Sequence, residues 1–441
     1  MKRPTRATTF LASLTSMALV GACGGGDDGG ETPDAGPDPT PVACDRSVPG
    51  NICTIVGNGE NGYAGEEGPA LKARLSLVMD TLTAPDGSVF VVDWNNHRIR
   101  KLTTDGIIHF VAGNGELGGS LDDPALGDFN HPTGIIFDST GTKLYISAWH
   151  NSKIRTLDLT TNTLLDSCGD GRRAYIGDGT PAHTASLDLP ASIAWDPQNN
   201  LVILDEANQV IRMVDATGNI RRLAGKCVID AAPPKGPGAC AEGVAPSPCP
   251  GTNKTTCGDP AMFCSQACSA GYGGDDGPAT EMRMAQAVGQ EADPGGRIIY
   301  DKQGNLYFAD VTNNLIRVIG TDGIVRRFAG TAPVAGVAQG GYSGDGGPAL
   351  DAKLNHPVDL ALADDGTMYF TDVFNHCVRA IAPDKTIRTV VGTCGTKGFT
   401  GDGGPATSAR LNRPYGVEWV APNILHVSDT GNSVVRAVRL P

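Results

Sequence analysis

A single unit recurs six times along this chain: an acidic Gly-rich loop, two strands, an Asp-x-x-Asn turn, a third strand carrying an Arg, and a closing strand that ends in Gly. It is clearest over residues 341–392, GYSGDGGPALDAKLNHPVDLALADDGTMYFTDVFNHCVRAIAPDKTIRTVVG. The third-strand Arg falls at Arg100, Arg155, Arg212, Arg317, Arg379 and Arg436, with spacings of 55, 57, 105, 62 and 57 residues. A period of this size built from short strands cannot bury its apolar face alone and specifies a β-propeller with one blade per repeat.

The sixth repeat lacks its closing strand, because the sequence given stops at Pro441, just after Arg436. An orphan closing strand, Ile52-Cys-Thr-Ile-Val-Gly57, stands before the first repeat. Pairing the two removes two open sheet edges. The expectation is an all-β, six-bladed propeller over residues 51–441, with the N-terminal strand completing the last blade. The 105-residue spacing holds an insertion at about residues 228–270 that carries Cys240, Cys249, Cys257, Cys264 and Cys268, with Cys227 at its base. It is rich in Pro, Gly and Ala, and its Cys density predicts a disulfide-stapled loop.

Residues 1–22 read as a targeting segment: a basic start, then an apolar run from Ala7 to Val20 too short to span a bilayer. Val20-Gly21-Ala22-Cys23 is similar to the lipobox of bacterial lipoproteins, which implies lipidation of Cys23. Gly24 rather than Asp after that Cys points to the outer membrane. Residues 23–50, rich in Gly, Asp and Pro, are expected to form a disordered tether. The formal net charge of −13 falls to −16 once Lys2, Arg3 and Arg6 leave with the signal segment. That sign, with no basic run, excludes nucleic acid as a partner. Of the 12 Cys, 11 remain after lipidation, so at least one has no partner within the chain. Cys377 and Cys394 flank a hairpin and join Cys227, Cys240, Cys249, Cys257, Cys264 and Cys268 as disulfide candidates.

The units resemble NHL repeats: Asp310-x-x-Asn313-x-x-Ile316-Arg317, followed by Gly323-Ile-Val-Arg-Arg-Phe-Ala-Gly330, comes close to an ideal copy. The resemblance covers about Ile52 to Leu440 and implies the propeller fold. Family functions range over protein binding, RNA binding, sensor ectodomains and a metal-dependent lyase, so it implies no single activity.

Asp345 and Asp402 in the Gly-rich loops offer hard oxygen ligands for calcium, but one or two carboxylates per loop fall short of a tight site. Read structurally, the glycines supply positive φ and the Arg of each repeat pairs with the neighbouring Asp or a carbonyl. His131 and His356 hold equivalent positions in the second and fifth repeats, on opposite sides of a six-bladed ring. With Asp359 they are the candidates for a transition-metal site at the central opening. His97 and His376 are expected on the solvated surface. Nucleophile-elbow, zinc-protease and phosphate-loop motifs are all missing. The resulting expectation is a non-catalytic, exported binding platform for a protein or other extracytoplasmic ligand, without a cofactor and held to the membrane by its lipid. Sugar binding is disfavoured by an aromatic content of 5%. The alternative is a metal-dependent lyase or hydrolase using the central opening.

Overall fold

The computed structural model describes residues 44–119, 121, 127–228, 268–287 and 294–441. The expected signal segment, Cys23, the tether up to residue 43, and Cys240, Cys249, Cys257 and Cys264 lie outside the described residues.

Six antiparallel sheets stand around one axis. Their innermost strands are Val78–Thr83, Pro132–Phe137, Pro190–Trp195, Ile298–Tyr300, Pro357–Leu362 and Gly416–Val420, in blades 1 to 6. Each innermost strand neighbours those of the adjacent blades, and blade 6 neighbours blade 1. Blade 6 takes its outer strand from the other end of the chain: Ile52–Val56 pairs antiparallel with Val434–Arg439. Period-2 alternation of β-branched and aromatic residues makes these segments strands, and apolar faces of adjacent blades pack together as the core.

The Gly that ends every closing strand has a steric cause. Gly57, Gly113, Gly169, Gly225, Gly330 and Gly392 have φ between 85° and 93°, and a Cβ on any of them would lie 2.2–2.8 Å from the carbonyl oxygen of the residue after the Asp-x-x-Asn turn, or after Ala148-x-x-Asn151 in blade 2. Only Gly adopts this conformation and leaves that space. Gly57 meets Ser433 of blade 6, as each of the other five meets the turn of its own blade, so the N-terminal strand is a true sixth copy.

The Asp-x-x-Asn-x-x-x-Arg spacing builds a buried brace in five of the six blades. In blade 5, Asp372 Oδ1 accepts the Asn355 amide at 2.7 Å, and Oδ2 accepts Asn375 Nδ2 at 2.9 Å and Arg379 Nη1 at 3.3 Å. Arg379 also donates to the carbonyls of Lys353 and Ser343 and to Asp345, the loop carboxylate, at 2.6 Å. Asp402 engages Arg436 in the same way at 2.6 Å. The two carboxylates considered for calcium are therefore taken by buried guanidinium groups. Burial pushes Asp372 up to about 6, opposed by Asn375 and Arg379. Blade 2 has Ala148 in place of the Asp, and Arg155 turns to Asp166 at 3.0 Å.

Three disulfides join described residues: Cys44–Cys53, Cys227–Cys268 and Cys377–Cys394. The first ties the segment preceding the ring to the closing strand, and Gly50 donates to the Arg439 carbonyl at 2.6 Å. The chain expected to be tether up to residue 50 is thus held to the ring from Cys44 onward. Cys168 is buried as a free thiol.

Candidate functional site: the two mouths of the central channel

Strand register places Asp80, Gly134, Ser192, Arg297, Asp359 and Gly416 at one level of the axis. Arg297 of blade 4 crosses to Asp80 of the opposite blade, Nη2 to Oδ2 at 2.7 Å. Its Nε lies 3.6 Å from Asp359, and Nη2 donates to the Thr133 carbonyl at 3.0 Å. The carboxylates also stitch blades together: Asp80 accepts the Ile135 amide at 3.0 Å and Asp359 the Val417 amide at 2.8 Å. Burial raises the pKa of both acids, and Arg297 opposes the rise. The expected central opening is therefore spanned at mid-depth by an ion-paired side chain, and Asp359 is committed to it. Gly134 makes room for that side chain, since a Cβ there would lie 2.1 Å from Arg297 Nη1. Gly134→Ala should destabilise the ring by about 1–3 kcal/mol through overpacking, read as a lower urea midpoint at unchanged slope.

At the mouth where the innermost strands begin, the structure corrects the histidine expectations. His97 is buried rather than solvated, and its Nδ1 accepts the His131 amide at 3.3 Å. His376 Nδ1 accepts the Arg413 amide at 3.1 Å. Gln209, Asn314 and Ser433 do the same for Gln286, His356 and Leu77, so the residue after each of these turns latches one blade to the next. Leu77, His131, Leu189, His356 and Arg413 all have positive φ, which explains their shared repeat position.

His131 and His356 are not brought together. His356 stacks on Phe374 in blade 5. His131 lies in a cluster from blades 1 and 2, with ring centroids 4.3 Å from Trp94, 4.4 Å from His97 and 4.9 Å from His150. His150 stacks on Trp149, whose indole N–H donates to buried Glu206 at 2.7 Å. Among the described residues no group of three or more His, Cys, Asp or Glu is disposed to hold a metal ion. Sequence reading missed His150 and Glu206; the signal was their place at the turn following the second strand, where side chains of successive blades converge.

Burial lowers His97 to about 4, with Arg98 adding to the effect, and lowers His131 and His150 to about 3. All three rings are neutral at pH 7. Because folding depresses these values below the unfolded 6.5, the stability they contribute is complete above pH 6.5 and is lost as pH falls toward 3. For His131 alone the loss at pH 5 is about 2 kcal/mol. His131→Asn, which keeps a residue tolerant of positive φ, should regain about that much relative to the parent between pH 7 and pH 5, measured by urea unfolding at both.

The fold and these mouths define a six-bladed β-propeller. Residues 49–241 match the model of the teneurin NHL domain. The chain is 24% identical over 378 residues to Protein SUPPRESSOR OF QUENCHING 1, chloroplastic, of Arabidopsis thaliana, covering 84% of this chain and 30% of that protein. It is 27% identical over 396 residues to Teneurin-m of Drosophila melanogaster, covering 76% of this chain and 13% of that protein. The chain thus spans less than a third of the length of these relatives. Among solved structures, one from Bacteroides thetaiotaomicron described as an auxiliary nutrient binding protein aligns with TM-score 0.56 at 12% identity, over 88% of this chain and 75% of that one. Another, of a protein of unknown function from the same organism, aligns with TM-score 0.58 at 14% identity, over 88% of this chain and 75% of that one. With the six repeat copies, these matches support an NHL-repeat propeller.

Proposed function

We propose that this chain is a non-catalytic binding platform, exported and held at the cell envelope by a lipid on Cys23, presenting its ring to a protein or other extracytoplasmic ligand. The observation that carries the reading is the Asp80–Arg297–Asp359 ion pair: it divides the channel into two separate mouths and uses the acidic groups of the axis for bracing. Disulfides among the described residues fit an oxidising compartment, and two structural neighbours described as auxiliary nutrient binding proteins agree with a binding role. The working face is the mouth where the innermost strands begin, beside the Cys227–Cys268 bridge at the base of the insertion.

The test is a chain lacking residues 229–267 with both bridge cysteines retained. In-cell cross-linking of the parent should capture a partner that the shortened ring, unchanged in melting temperature, does not. Equal capture by both chains would contradict the assigned face.

A further inference from the structure

The latches between blades differ in one chemical respect. Gln286, His356 and Leu77 give their amides to Gln209 Oε1 at 2.8 Å, Asn314 Oδ1 at 2.8 Å and Ser433 Oγ at 3.4 Å. None of these acceptors titrates. His131 and Arg413 give theirs to His97 Nδ1 at 3.3 Å and His376 Nδ1 at 3.1 Å. A backbone amide can only donate, so each Nδ1 must carry its lone pair, with the ring proton on Nε2. In the imidazolium both ring nitrogens are donors. Protonation therefore takes these two acceptors away outright.

The other titratable groups that bridge blades do not share this weakness. Asp80 and Asp359 accept the amides of Ile135 and Val417 across the same two seams, at 3.0 and 2.8 Å. Glu206 of blade 3 accepts the Trp149 indole N–H of blade 2 at 2.7 Å. A protonated carboxyl keeps acceptor capacity. Burial also holds these three acids above their unfolded values, against the pull of Arg297 on the two aspartates. Proton uptake by them as pH falls thus favours the fold rather than opposing it. Between blades 6 and 1, protonated His426 becomes a donor to Glu418, 3.1 Å away, while Glu418 holds the Thr83 amide. That seam gains an ion pair.

Two seams are left acid-labile, blade 1 to blade 2 and blade 5 to blade 6, and they cut the ring into two arcs. Blades 6 and 1 form one arc, joined by the Ser433 latch. Blades 2 to 5 form the other, with the Gln209 and Asn314 latches inside it. We propose that acid releases the His97 and His376 latches, so that blades 6 and 1 open away from blades 2 to 5 at the mouth where the innermost strands begin, pivoting on the Asp80–Arg297–Asp359 brace at mid-depth. The surroundings of the latches act in the same direction. His97 faces Arg98 on its own turn and His131 and His150 of blade 2, with Arg173 beside His150. All of these are cationic or become so, and a proton taken up there is repelled until the seam opens. His376 faces Arg413 across its seam, and Arg413 and His356 both lie against the Phe374 ring. In the closed seam His97 titrates at about 4, against an ordinary 6.5. Opening therefore becomes more favourable as pH falls below 6.5 and levels off below 4. From pH 7 to pH 5 the gain from His97 alone is about 20-fold, and His131 and His150 on the same seam add to it. The device works whatever the ring binds.

The test is native-state hydrogen exchange of the full chain at pH 7 and pH 5, with each amide's protection corrected for its intrinsic rate. Four amides report: His131 and Arg413 across the labile seams, Gln286 within one arc and Leu77 within the other. Protection of His131 should fall by about 20-fold or more and that of Arg413 should fall with it, while Gln286 and Leu77 hold theirs. His97→Gln and His376→Asn copy the acceptors of blades 3 and 4 in the same left-handed conformation, φ 55° and 56° against 53° for Gln209 and 57° for Asn314. Each should blunt the fall at its own seam and leave the other seam as in the parent. The four-amide comparison in the parent needs no variant, so it decides even where a variant fails to fold. An equal fall at all four amides, no fall at His131 or at Arg413, or falls undiminished in both folded variants would each overturn the proposal.

Discussion

Replacing Arg297 with Ala should cost the ring about 3–5 kcal/mol, because removing one partner of a buried ion pair leaves uncompensated charge behind. Here two carboxylates would remain, Asp80 and Asp359, each also holding a backbone amide of the next blade. Against a total stability of about 5–15 kcal/mol, that is a large fraction. The acids would also lose the guanidinium that opposes their burial, so part of the loss should return as pH is lowered and they protonate. A triple variant, Asp80→Asn, Arg297→Met and Asp359→Asn, should recover much of the stability, because a neutral trio leaves no buried charge unpaired. Urea unfolding of parent, single and triple variants checks this. A single variant within about 0.5 kcal/mol of the parent, the range of ordinary surface substitutions, would mean that Arg297 does not brace the axis.

A chain that begins at Gly57 should fail to form a stable monomer. The strand Ile52–Val56 buries Ile52, Cys53, Ile55 and Val56. At about 1.5–3 kcal/mol per buried apolar side chain, its loss removes about 6–12 kcal/mol, comparable to the whole stability. It also bares the edge of Val434–Arg439 along its length, which invites pairing between chains. Size-exclusion chromatography with circular dichroism should show aggregated or unfolded material. The peptide covering residues 44–57, supplied in trans, should restore a folded ring. Recovery of a compact monomer without it would mean that five outer strands suffice.

The architecture was legible because each repeated residue answers to one local demand. The terminal Gly answers to a carbonyl within 2.8 Å, the Asp and Asn to amides left by the turn, and the Arg to the carbonyls and carboxylate above it. Matching the missing sixth closing strand to the orphan at the start followed from the same pattern. The channel was not legible. Arg297 follows a Gly-Gly pair, and only strand pairing shows that it shares a level with Asp80 and Asp359. The histidines misled for a related reason: equivalence in a repeat shows that two residues occupy the same place in their blades, not that they reach each other across the axis. Of the two histidines expected at the surface, His97 is buried and His376 half-buried, and the ring nitrogen of each serves as a latch between blades.

The measurement that bears most directly on the central claim, a ring that braces itself with its own charged groups and works by binding, is metal content by mass spectrometry on the purified chain beside a His131→Ala/His356→Ala variant. The account predicts no stoichiometric transition metal in either, since Asp359, Asp345 and Asp402 are engaged by arginines and the two histidines lie in separate clusters. About one metal ion per chain, lost in the variant, would contradict it and point to an enzyme.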